Sequence, residues 1–201
     1  LRGYTNINDV DYAVLYKREP EGHLVGFEID GEIGSFNIYD EITYLWDSEY
    51  ISMPGSHQGN LLRDYFMNVL GASYRFSNDL HLTLEYLFNG IGDSDNLDAS
   101  NIRYQNGVSK TLNEQLIGMS LAYEFSPLLV GKYDMKLAWI DSSHQHNFSF
   151  VQSISDNIDF ILGGHLNLGE RPNGSNWQNP NIQSEYGRLA NFYYLELKCY
   201  F

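Results

Sequence analysis

Apolar and polar side chains alternate along most of this chain with a period of two, the mark of strands that have one apolar and one polar face. The last stretch is a plain case. Tyr193, Leu195, Leu197, Cys199 and Phe201 fall on one side, and Tyr194, Glu196, Lys198 and Tyr200 on the other. Leu80, Leu82, Leu84, Tyr86 and Phe88 oppose His81, Thr83, Glu85 and Leu87 in the same way. Further strands are predicted over Val10–Tyr16, Val25–Ile33, Phe36–Trp46, Phe66–Phe76, Ile117–Phe125, Tyr133–Trp139, Phe148–Ile154 and Ile158–Leu166, with Asp40 breaking the apolar face of its strand. The count is about ten strands of roughly ten residues each, the length that crosses a bilayer at a steep tilt. They read as one antiparallel, up-and-down domain over residues 1–201.

The connections alternate in length. Short turns are expected at Gly34-Ser35, Ser77–Asp79, Ser126–Gly131 and Ser155–Asn157, and a Pro/Gly turn at Glu19–Gly22. Residues 47–61, residues 89–113 and Gly169–Ala190 are longer and polar. Counted back from the C-terminus, every second connection is short, as in membrane barrels with short periplasmic turns and long outer loops.

The terminal stretch resembles the closing strand of bacterial outer-membrane β-barrels, which ends in Phe behind apolar residues at alternate positions. The phrase Leu121–Pro127, and Ile158–Leu168 followed by Gly169-Glu170-Arg171-Pro172, resemble the C-terminal halves of porin-like members of that group. The resemblance implies an all-β, antiparallel, up-and-down transmembrane β-barrel in the outer membrane. It implies insertion by the barrel-assembly machinery, read from Tyr193, Leu195, Leu197 and Phe201, and passage of small polar solutes. Leu1 is not a Met, no charged-then-apolar leader precedes the first strand, and Leu1 to Asn8 read as mid-chain sequence. The expectation is the C-terminal part of a larger barrel, of about 14 strands or more.

Composition sharpens this reading. Aromatic residues make up 15% of the chain and there are few prolines, which suits an all-β protein. No apolar run is long enough for a membrane helix. A net charge of −14 argues against nucleic acid as a partner. The single cysteine, Cys199, excludes an intrachain disulfide and falls on the apolar face.

In a membrane barrel the polar face lines the lumen. Its candidates are Glu28, Asp30, Glu32, Glu41, Arg75, His81, Glu85, Glu124, Lys132, Asp134, Lys136, Asp159, His165, Glu196 and Lys198, with Asp11 and Lys17 beside them. Arg75 with Glu85, and Glu196 with a nearby Lys, are expected to pair. The acids around Glu28 favour cations locally, and Lys132 and Lys136 favour anions. No catalytic residue, cofactor or metal site is assigned. His144-Gln145-His146 puts two imidazoles on one side of a strand without a third ligand in view. Gly92–Asp98 opens like a calcium loop, but Leu97 and the missing Glu make an acidic solvated loop the better reading. Three alternatives stay open. One is a barrel sheathing a partner such as an electron-transfer cytochrome or an export protein. Another is a rim hydrolase using His144 and His146. The last is a soluble ligand-binding barrel with the apolar face inside.

Overall fold

The computed structural model describes residues 1–19, 22–46, 64–105, 107–174 and 181–200. Pro20 and Glu21 of the expected first turn, the expected 47–61 loop with Pro54 and Gly55, and the terminal Phe201 lie outside the described residues. Among the described residues, eleven strands form one sheet in chain order. They are β1 (Arg2–Ile7), β2 (Val10–Glu19), β3 (Gly22–Ile33), β4 (Phe36–Trp46), β5 (Tyr65–Arg75), β6 (Leu80–Asn89), β7 (Gln115–Ser126), β8 (Leu129–Ala138), β9 (His144–Ser155), β10 (Ile158–Leu168) and β11 (Phe192–Cys199). A helix, α1 (Leu97–Gln105), interrupts the run between β6 and β7.

The expected strands are all present, and β1 is added to them. Asn8 and Asp9 both take positive φ (53° and 64°) in the turn that pairs Ile7 with Val10. Asn and Asp tolerate that backbone, and it matches the twist of a tight hairpin. Gly34 (φ 66°) does the same between β3 and β4, as its Gly-Ser pair predicted. The turn between β7 and β8 is tighter than expected, because β8 already begins at Leu129.

The chain divides into two compact units, Leu1–Ala72 with Glu85–Leu116, and Ser73–Leu84 with Ile117–Phe201. In the first, Tyr16, Val25 and Tyr44 lie in one row across β2, β3 and β4, and Val14, Phe27 and Ile42 in the next. Directly opposite residues share a face, so these rows form one apolar surface. That surface is open, with Val14 at 52% and Phe27 at 43% exposure, while Ala13 and Leu45 on the opposite face are buried. The second unit repeats the arrangement. Leu162 and Leu195 are opposite each other and exposed, and Ile161 beside them on the other face is 8% exposed.

Both described long loops carry small cores of their own. In the first unit, Ile91, Leu97 and Leu112 are buried together with Ser100 of α1. Asn96 caps the helix by accepting from the Ala99 amide (3.1 Å), and Arg103 Nη1 reaches the Ile91 carbonyl (2.9 Å). In the second unit, Ile182, Ser184, Glu185 and Tyr186 are buried, as is Ser143 in the turn after β8.

Candidate functional site

The charged face of β1 to β4 carries more acid than its strands can hold without help. Glu28 is directly opposite Glu41, and Asp30 directly opposite Asp11. Like charges in such positions repel. Each is relieved by a neighbour. Arg2 Nη2 donates to Glu28 (3.2 Å), Asn6 to Asp11 (2.8 Å) and Asn37 to Asp30 (2.9 Å). Glu32 lies opposite Asn37. A surface depression beside these groups is lined by Arg2, Asp11, Tyr12 and Glu28.

Tyr39 reaches along the same face, and its hydroxyl donates to Glu85 Oε1 at 2.5 Å. The ring packs close against Gly71, where an added Cβ would collide with it. Glu85 is therefore taken by Tyr39. Arg75 pairs with Asp79 (3.1 Å), and the expected Arg75–Glu85 pair is corrected on both sides. The reason is local: Arg75 borders the turn, so the turn's own carboxylate is nearest, whereas Glu85 lies well along β6. His81 and Glu124 are exposed strand residues.

In the second unit the charged face presents Lys132, Asp134 and Lys136 opposite Ser149, Asn147 and Gln145. Asp159 lies opposite Lys198 and accepts from Ser153 Oγ (2.8 Å) and the Tyr200 hydroxyl (3.1 Å). That bond holds the Tyr200 hydroxyl above its ordinary pKa. Glu196 and Lys198 approach to 3.9 Å, the loose pairing of two exposed side chains. His165 stacks on Phe192 (centroids 4.4 Å) and bonds to Asn147.

Asp40 and Asn68 sit among apolar neighbours instead. Asp40 is opposite Ile29, on the apolar face between Ile38 and Ile42, and its carboxylate accepts from Asn68 Nδ2. His144 and His146 are on the apolar face too, opposite Leu137 and Met135 of β8. Their rings meet edge to face at 5.0 Å, and His146 Nδ1 engages the Tyr133 hydroxyl (2.6 Å). Among the described residues, no three potential metal ligands gather. The Gly92–Asp98 stretch runs into α1, with Asp93 accepting from the Asn96 amide (3.0 Å).

Tyr193, Leu195 and Leu197 share the exposed apolar face opposite Gly164, Leu162 and Phe160. Between β8 and β9, Asp141 accepts from the Ser143 amide (2.8 Å) and from the Glu185 amide (2.7 Å) of the loop before β11, and Ser143 Oγ accepts from the Tyr186 amide (3.1 Å). Burial, with Glu185 and Asp141 nearby, pushes the Tyr186 hydroxyl above its ordinary pKa. Tyr39, Asn147 and Phe192 escaped the sequence reading. For Tyr39 the available signal was Gly71, since glycine inside a strand marks a close approach.

No family model, curated protein or solved structure matches the chain.

Proposed function

We propose that the sheet closes into an outer-membrane β-barrel of porin-like type. Its apolar face meets lipid, and its charged face lines a water-filled path for small polar or charged solutes. One observation carries this reading, the inverted burial of the strands. Valine, leucine and phenylalanine on the apolar face are open to the surroundings, while the buried apolar strand side chains Ala13, Leu45, Leu116, Ala138 and Ile161 lie on the charged face. Exposed apolar area costs about 25 cal/mol per Å² in water and nothing in hydrocarbon. A soluble ligand-binding barrel would bury the face that is open here.

Rings near strand ends on the apolar face add support. Tyr16, His23 and Trp46 stack in sequence, with Tyr16 and His23 joined at 2.7 Å. Tyr74 meets Phe76 edge-on, as Tyr123 meets Phe125. Amphipathic rings favour the membrane–water boundary.

The test is single-channel recording of the detergent-purified protein in a planar bilayer. The expected result is discrete conductance steps with an ion preference. Bilayer insertion without conductance would replace the channel reading with that of a sheath around a partner protein. Solubility and monodispersity without detergent would overturn the membrane reading itself.

A further inference from the structure

We infer that the charged face of the second unit carries a binding site for a saccharide ring, where β8, β9, β10 and β11 lie side by side. The inference rests on the reading above, in which that face meets water and solute. The registers place Asp134, Asn147, His165 and Phe192 in one row across the four strands. They place Lys132, Ser149, Gly163 and Tyr194 in the next. Opposite residues share a face, so both rows point the same way.

Phe192 is out of place there. It is 51% exposed, in a row whose other members are polar. A phenyl ring left half in water gains little from folding. The ring is nonetheless held in place, stacked on His165 at 4.4 Å and 28°. Tyr194 stacks on the same imidazole at 6.0 Å and 29°, its ring close against Gly163, where an added Cβ would collide with it. Phe192, His165 and Tyr194 thus form a fixed ring surface beside the strands' polar groups.

Side-chain amides continue that surface. Asn147 bonds His165, Gln145 Nε2 donates to Asn167 Oδ1 (2.7 Å), and Asn147 Nδ2 reaches Gln145 Oε1 (3.4 Å). Each amide combines donor and acceptor, as the hydroxyls of a polyol do. A simple ion has no use for the rings, and an apolar solute none for the amides. A sugar uses both: its C–H face packs on the rings while its edge hydroxyls meet the amides.

The test uses the protein in detergent micelles and saturation-transfer NMR with lactose as probe. Sorbitol, an open-chain polyol, and benzoate, a ring without hydroxyls, serve as comparisons. Irradiating protein aromatic protons is expected to mark the ring protons of lactose and not sorbitol. Phe192→Ala and Tyr194→Ala should each weaken lactose binding about tenfold, the loss of one stacked ring. Phe150→Ala, on the apolar face, should leave binding unchanged. Phe192→Leu keeps the apolar bulk without the ring, and covers the case in which the alanine variant does not fold. Binding by Phe192→Leu equal to the unaltered protein would overturn the inference, as would no transfer to lactose or transfer to benzoate alone. The assay needs no conduction. A conducting channel that ignores lactose sinks this inference alone, and a lactose-binding protein that never conducts sinks the transport reading alone.

Discussion

Asp40 is a carboxylate on an apolar surface, and Asn68 is what makes it tolerable. The Asn68 amide donates to Asp40 and also to the Glu41 carbonyl (3.2 Å). Removing one partner of such a pair strands the other, whereas removing both is close to neutral. Asn68→Ala should therefore lower the unfolding free energy by about 2 kcal/mol. Asp40→Leu combined with Asn68→Leu should recover most of it. Urea unfolding followed by tryptophan fluorescence checks both, and a double variant as weak as the single one would refute the argument. Gly71 makes a second residue-scale case. Gly71→Ala pushes into the Tyr39 ring and should cost about 1–3 kcal/mol by the same measurement. Adding Tyr39→Ala should cost less than the sum of the two single changes, because the clash is then gone.

At the scale of elements, the long loop before β11 in the second unit is latched, and Asp141 is the latch. It accepts amides from its own turn and from Glu185 in the loop that precedes β11. Hydrogen bonds to a charged acceptor are worth about 2 kcal/mol each, so Asp141→Ala should raise the open fraction of the loop roughly thirtyfold for one bond lost. Trypsin cleavage after Arg188 reports that opening, slow in the unaltered protein and fast in the variant. The buried Tyr186 adds a pH dependence. Its folded pKa is raised, so its contribution to loop stability is complete below the ordinary tyrosine value of about 10 and is lost as pH climbs above it. The loop should thus resist trypsin unchanged from neutral to mildly alkaline pH and loosen only in strong alkali. α1 is the matching feature of the first unit, a helix started by Asn96 inside a loop that has Ile91 and Leu112 to bury.

At the scale of the whole molecule, the charge on the polar face sets the expected selectivity. Glu28 and Glu41 face each other, with Arg2 bonded to the Glu28 carboxylate. In the proposed channel, Glu28→Gln with Glu41→Gln should lower the cation-to-anion permeability ratio, read as a shift of reversal potential in a salt gradient. An unchanged ratio would place the selecting charges elsewhere.

Alternation, punctuated by turn residues, determined the strands, their turns at Gly34-Ser35 and Ser155–Asn157, and the two faces, because a period of two leaves a pleated strand no other way to sort its side chains. It missed β1, whose polar residues alternate too weakly, and α1, which is nine residues long and carries no apolar stripe. Whether the apolar face lies inside or outside was open in the sequence, since both arrangements share one pattern. The tertiary structure left that face exposed. It also chose the partners: Tyr39 for Glu85, Asp79 for Arg75, Asn68 for Asp40, and Phe192 for His165. Arg75 and Asp79 are four residues apart at a turn; the other contacts follow from register between strands, and no local spacing encodes register.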